Sequence, residues 1–321
     1  VANSIISPDY SQSDLGILFN YNEIANFIGL HGQTYKEMGK LLNLSWWFGN
    51  NVRFRYKPAT YAEYSFNAGI FTTFKNYWSL NYSMYSKPVY YNDFYEPRVE
   101  GMFFHARPFF YNSAYVSSDY RKKFVLGMSL GFGESPLPKD PYYEISISPS
   151  WNATDKIRLV YDAFASKDHK NYGFSHFDAN GNPILGSRDI WVVTHALQLQ
   201  YAFNSRMNVS ARARYYWSKV VYNNFFNLNE DGTLTDTDFE EGWDENYNVF
   251  NIDFLYSWEF SPGSRLTLSW KNNIQQFDDK GNDNYADNVH KTFDTPTGNN
   301  VSVMFMYYLD YQQLKHHKQH S

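Results

Sequence analysis

The feature that most constrains this chain is an alternation of apolar and polar residues with a period of two, sustained over roughly ten residues and repeated along the chain. From Met207 one parity reads Met207, Val209, Ala211, Ala213, Tyr215, Trp217; the other reads Asn208, Ser210, Arg212, Arg214, Tyr216, Ser218. Phe124, Leu126, Met128, Leu130 and Phe132 alternate with Val125, Gly127, Ser129, Gly131 and Gly133. Tyr143, Ile145, Ile147, Pro149 and Trp151 alternate with Glu144, Ser146, Ser148 and Ser150. A helix turns about 100° per residue and would smear these two sets around its surface, whereas a strand sorts them onto opposite faces. Thirteen strands are expected, beginning near residues 24, 40, 61, 76, 102, 122, 142, 156, 189, 206, 247, 264 and 299.

Composition decides what kind of sheet this is. The chain carries 27 Phe, 29 Tyr and 9 Trp, yet its mean hydropathy is −0.58. A soluble core with so many rings would also hold many aliphatic neighbours, while a membrane barrel places rings in two interfacial girdles around a polar lumen. The expected fold is therefore all-β, an antiparallel transmembrane β-barrel. No apolar run approaches the 18 or so residues of a spanning helix. A formal charge of −5 without dense Lys and Arg argues against nucleic acid as a partner. The absence of cysteine excludes disulfides and thiolate metal sites.

Connection lengths set an orientation. Short turns fall at Lys36 to Gly39, Phe74 to Asn76, Ser117 to Arg121, Asn152 to Asp155, Asn204 to Arg206 and Ser261 to Ser264. Longer connections lie around residues 87 to 100, 134 to 141, 167 to 188, 219 to 246 and 278 to 298. Outer-membrane barrels have short periplasmic turns and long external loops, so the carboxyl terminus is expected in the periplasm of a bacterial outer membrane. On this reading residues 1–23 are a lead-in segment or external loop, 24–311 the barrel and 312–321 a periplasmic tail. Thirteen strands ending inside imply an odd number of strands further upstream, and the chain, which starts at Val1 without a signal segment, is expected to lack amino-terminal sequence. Asp178 to Pro183 and Asn229 to Gly232 have hairpin-turn chemistry, so some strand pairs should extend past the membrane.

Four stretches carry a resemblance: Asp14-Leu15-Gly16, Phe74 to Leu80, Ser118 to Phe124, and Trp258 to Ser264. Together, from about Asp14 to Tyr311, they resemble a family of Bacteroidetes outer-membrane proteins whose carboxy-terminal barrel follows a domain similar to carbohydrate-binding modules. The resemblance implies surface glycan binding or uptake, with lipid bilayer and lipopolysaccharide around the barrel. The alternative is a non-conducting structural subunit held among other envelope proteins in a secretion or barrel-assembly complex.

The inward parities contain Arg53, Arg55, Arg107, Arg158, Arg212, Arg214 and Lys271 opposite Glu144, Asp162, Asp253, Glu259 and Asp310. Charges in a partly dry lumen need partners, so these groups read as ion-pair bracing or, for the arginines, as a selectivity region for an anionic solute. The acidic loop with Glu230, Asp231, Asp236, Asp238, Glu240, Glu241, Asp244 and Glu245 offers calcium-type oxygens, with Asp278, Asp279, Asp283 and Asp287, but lacks a full calcium-loop pattern. Phe239, Trp243, Tyr247 and Tyr285 could stack on sugars or form an upper girdle. His105 and Ser113 share a parity and are the nearest approach to a catalytic pair, which is too little to predict an enzyme; no cofactor is expected. The tail histidines His316, His317 and His320 read as a polar end. The aromatic final strand, Val301 to Tyr311, should pair with the first strand and remove both sheet edges.

Overall fold

The computed structural model describes residues 1–10, 21–135, 140–237, 243–278 and 284–309. One antiparallel sheet dominates them. Its path runs in chain order through β1 (Ala2–Ile6), β2 (Glu23–Thr34), β3 (Leu41–Arg55), β4 (Thr60–Phe74) and β5 (Ser79–Lys87). It then skips a small hairpin, β6 (Tyr91–Asp93) with β7 (Phe104–Ala106), and resumes at β8 (Phe109–Ser117), β9 (Phe124–Glu134), β10 (Tyr142–Asn152), β11 (Ile157–Phe177), β12 (Pro183–Asn204) and β13 (Met207–Leu228). The short β14 (Leu234–Asp236) folds back onto β13, and the path ends with β15 (Glu245–Ser261), β16 (Ser264–Asp278) and β17 (Gly298–Met306). Among the described residues there is one helix, α1 (Tyr285–Asp294), between the last two strands.

All thirteen expected strands are present, and three readings change. Residues 1–23 are not only a lead-in or loop, because Ala2–Ile6 pairs with Ile24 and its neighbours; with β1 the sheet path has fourteen strands. The strand expected near 102 splits, so His105 sits in the β6–β7 hairpin while Ser113 sits in the wall. The loop expected at 167 to 188 is largely strand, since β11 and β12 stay paired out to Phe177↔Pro183. Asp14 to Gly16, Phe239, Asp310 and the tail lie outside the described residues.

The sheet is curled. Tyr95 donates from its hydroxyl to the Tyr21 carbonyl beside β2 at 3.3 Å, and its neighbour Glu96 accepts from the Phe174 amide in β11 at 2.6 Å. Seven strand spacings separate β2 from β11 along the path, about 33 Å if the sheet were flat. Two adjacent residues reach both strands because the sheet bends round on itself. Among the described residues no pairing joins β1 to β17, so the curl is not closed.

Register separates the two faces. One row across the sheet reads Trp46, Ile70, Tyr82, Ala114, Leu130, Ile145, Ala165, Val193, Trp217. All belong to the apolar parity, which points outward, and five of the nine are exposed, among them Leu130 at 59% and Trp46 at 43%. The polar parity points inward. Glu144 there accepts from the hydroxyls of Tyr111 and Tyr142, and Gly131 leaves room for them, since a Cβ would meet the Glu144 side chain at 2.5 Å. Among the described residues no helix is long and apolar enough to cross a membrane, which says nothing of proteins that cross with strands.

The buried apolar core lies at the end with the long connections. Phe104, Ala106, Leu185 and Leu228 form it, with Tyr91, Met102, Tyr172 and Leu234 packed around. The strands β11, β12 and β13 reach this core because they are 21, 22 and 22 residues long, roughly twice the 9–11 residues of a tilted spanning strand.

Candidate functional site: a capped mouth above a charged wall

Residues 88–108 form a cap over the long-connection rim of the curl. On one side Asn92 donates to the Tyr61 carbonyl at 2.9 Å, and the Arg55 guanidinium lies 5.0 Å from the Phe94 ring centroid. On the other side Glu96 receives the Phe174 amide, and Arg98 lies 4.3 Å from the Phe174 ring. The His105 amide donates to the Gly232 carbonyl at 2.8 Å. Gly232 has φ +82°, and a Cβ there would meet the Phe103 ring at 2.5 Å, so only glycine fits both the turn and the cap against it. Tyr91 anchors the cap from below, with the Lys87 ammonium 3.8 Å from its ring. Burial, then the Asp93 and Glu63 carboxylates, hold its phenol well above the usual tyrosine range.

Beneath the cap a charged knot braces the wall. Glu63, only 5% exposed, accepts from Arg53 at 2.6 Å and from Lys87 at 2.8 Å, while Arg53 also meets Glu23 at 3.4 Å. Side chains on three adjacent strands thus share one carboxylate, the arrangement that makes buried charge tolerable. A second pair, Arg107 with Asp140 at 2.5 Å, ties the cap's end to the loop after β9. Burial outweighs that guanidinium and pushes the Asp140 carboxyl up to about 6.

The structure divides the expected lumen cluster. Arg53 and Arg107 are paired at the mouth, and Glu144 is taken up by two tyrosine hydroxyls. Farther down, Arg214 pairs with Asp253 at 3.2 Å and donates to Asn251 at 2.9 Å. Asp162 shares the row of Arg214, and Glu259 sits opposite Arg265. Arg212 and Lys271 flank Asp253 in register, and Arg158 lies nearer the short-turn end. Among the described residues these three cations enter no ion pair, and all three are exposed. They line two hollows on the inner face, one of about 580 Å³ with Arg158 and one of about 460 Å³ with Arg212 and Lys271. The ion pairs expected of the cluster are thus made by Arg53, Arg107 and Arg214, and Arg158, Arg212 and Lys271 stand outside them among the described residues.

Other candidates are placed apart. His105 contacts Asn92 at 3.0 Å and stacks on Tyr90, while Ser113 bonds Ser83 at 2.8 Å, so no dyad forms. Asp231 spends an oxygen on the Thr233 amide and hydroxyl, and Asp244 accepts from the Tyr222 amide. Asp238, Glu240, Glu241, Asp279 and Asp283 lie outside the described residues. Among the described residues no group of three or more acids or histidines is placed to hold a metal ion. Trp243 stacks on His176 with centroids 4.5 Å apart and planes at 14°, leaving Trp243 47% exposed at the rim.

Helix α1 is the element that reasoning from period two missed. Asn284 caps it by accepting from the Asp287 amide, and Asn288 and Thr292, four apart, are fully buried. Asn288 accepts from Asn246 at 2.5 Å and Asn248 at 3.1 Å, and the Tyr285 ring packs on Trp217 and Tyr215. Those partners belong to the outward parity, so α1 lies on the outside of the wall. The N-cap Asn with Asp three residues on was the available signal.

No curated protein matches this chain. The sequence profile of a domain of unknown function, DUF5916, matches residues 1–318 of the 321. The match covers the whole wall, the cap and α1, and the chain belongs to the DUF5916 family.

Proposed function

We propose that this chain forms a membrane-spanning β-barrel wall in a bacterial outer membrane, and that it works as a gated port whose outer mouth is stoppered by residues 88–108. The observation that carries the membrane reading is the outward face. Apolar side chains of one parity stand exposed on strand after strand, far beyond the isolated patches of soluble proteins. They lie between two rows of rings: Phe48, Phe66, Phe110, Phe132, Tyr143 and Trp191 above, and Trp151, Tyr201, Phe203, Trp258, Phe260 and Phe305 below. Ten residues separate Trp191 from Tyr201, about 33 Å of strand, which a tilt of about 40° foreshortens to the ~25 Å of an outer-membrane apolar band. In this orientation the carboxyl terminus is periplasmic.

A gate is favoured over a plain anchor by what lies below the stopper. Exposed cations that enter no ion pair among the described residues, along the inner hollows, suit a passage for anionic solute. The exposed Trp243–His176 stack at the rim supports a glycan as the arriving ligand, since sugar rings bind flat aromatic faces. The second reading, a silent structural subunit, draws support from the Glu63 knot. In detergent the unheated protein is expected to migrate faster than boiled protein on a gel; solubility without detergent, with no heat shift, would overturn the barrel.

A further inference from the structure

On the outward face of β11 two successive positions are alanines, Ala163 and Ala165. Each is flanked in register by larger side chains: Ala165 by Ile145 and Val193, Ala163 by Ile147 and His195. Ala165 lowers the floor of the strand between two ridges, and over it lies a groove of about 460 Å³ walled by Leu130, Tyr143, Ile145 and Trp191. Lys167 stands at its upper end, the next outward residue after Ala165, with its ammonium 5.0 Å from the Trp191 ring centroid. Among the described residues no carboxylate pairs with Lys167. Lys219 lies against the same ring at 5.4 Å, which adds positive charge at that end.

An apolar trough headed by a cation and an indole matches an amphiphile with an anionic head and a hydrocarbon tail. We propose that this groove binds one acyl chain of an anionic, phosphate-bearing membrane lipid, with the phosphate held at Lys167 beside Trp191. The inference rests on the membrane-spanning reading and adds a specific lipid position to it. The row containing Trp191 is the upper aromatic row, the level at which lipid phosphates meet the protein and at which Lys and Trp side chains place their polar ends. An ordinary snorkelling lysine would meet the same headgroups without a trough; the groove over Ala165 is what makes one site here.

The test uses the whole chain, folded in neutral detergent and titrated with dioleoylphosphatidylglycerol or dioleoylphosphatidylcholine, with retained lipid counted by native mass spectrometry. Wild type is expected to retain one phosphatidylglycerol, preferred over phosphatidylcholine about fivefold, the worth of a single lysine at an anionic surface. Lys167→Gln should bring that preference towards parity. Ala165→Phe, which fills the trough, should remove retention of both lipids, while Ala213→Phe, elsewhere on the same band, should change nothing. Equal retention by wild type, Lys167→Gln and Ala165→Phe would overturn the site, as would an Ala213→Phe loss equal to that of Ala165→Phe. A heat-shifting protein with such results loses only this site; a protein with no heat shift loses the barrel and the site together.

Discussion

If the chain is the stoppered port proposed above, releasing the cap should open it, and the contacts that hold the cap set the size of the effect. The contacts holding residues 94–98 to the far rim include the Phe174 amide on Glu96 at 2.6 Å, the Arg188 guanidinium 3.9 Å from the same carboxylate, and the Arg98 guanidinium over the Phe174 ring at 4.3 Å. A hydrogen bond to a charged acceptor contributes about 1.5–3 kcal/mol, and losing Glu96 also strands the amide. The cation–π contact contributes about 1 kcal/mol. Both act on the same residue, so they are not strictly additive, and a combined loss of about 3 kcal/mol is the working figure. At 1.4 kcal/mol per factor of ten, the double variant Glu96→Ala, Arg98→Ala should raise the open population about a hundredfold. Single-channel recording in planar bilayers measures this directly: brief, rare openings in wild type, and openings about a hundred times more frequent in the variant at unchanged unit conductance. A double variant that still shows the heat shift but stays within threefold of wild type refutes the gate and leaves the silent-subunit reading standing. A wild type that conducts continuously refutes the stopper.

Three further outcomes follow from particular contacts. Glu63→Gln leaves Arg53 and Lys87 without their shared carboxylate, and should cost about 3 kcal/mol, read as a lower urea midpoint for loss of the fast-migrating band. Asn288→Ala removes the acceptor for the buried amides of Asn246 and Asn248, so α1 should detach and residues 285–294 become protease-sensitive while the wall keeps its heat shift. Because burial lifts the Asp140 carboxyl to about 6, the folded state binds this proton more tightly than the unfolded chain does, and the loop should gain stability as pH falls from about 7 towards 4. Screening discounts the gain to about 1 kcal/mol; hydrogen exchange at the Ser135 amide, which donates to Asp140 at 2.8 Å, reads it, and Asp140→Asn should abolish the pH dependence.

The wall was legible because each strand carries its own two-faced pattern, as Met207 to Ser218 does, and because turn lengths alternate. What escaped prediction is what does not alternate. β1 is five residues long and exposed nearly throughout, so Ala2–Ile6 offers no apolar face to read; its place comes from pairing with β2. The cap is held by single residues meeting partners as distant as Glu96 and Phe174, and such encounters leave no period in a sequence. Helix α1 hides a polar core, Asn288 and Thr292, where amphipathicity searches look for Leu and Val. The lumen charges were found by parity, but parity cannot say which cation has a partner. That depends on which carboxylate stands in register, as Glu63 does with Arg53.

On the port reading, the split between cations that enter ion pairs among the described residues and those that do not would also locate the barrier to passage. An arginine or lysine without a carboxylate partner is tolerable only where water solvates it, because the cost of stripping a lone ion reaches several kcal/mol. Arg158, Arg212 and Lys271 therefore mark the short-turn half of the curl as wet. Arg53 and Lys87 are held on a carboxylate that is 5% exposed, with Tyr91 of the cap laid over the lysine, and this marks the mouth as dry. On that reading a solute entering from the cap side would meet its desolvation cost in the first few ångströms and little below. Substituting Arg158 or Arg212 should then alter which ions pass an uncapped barrel, while leaving the frequency of opening as it was; that frequency belongs to Glu96, Arg98 and the knot beneath them.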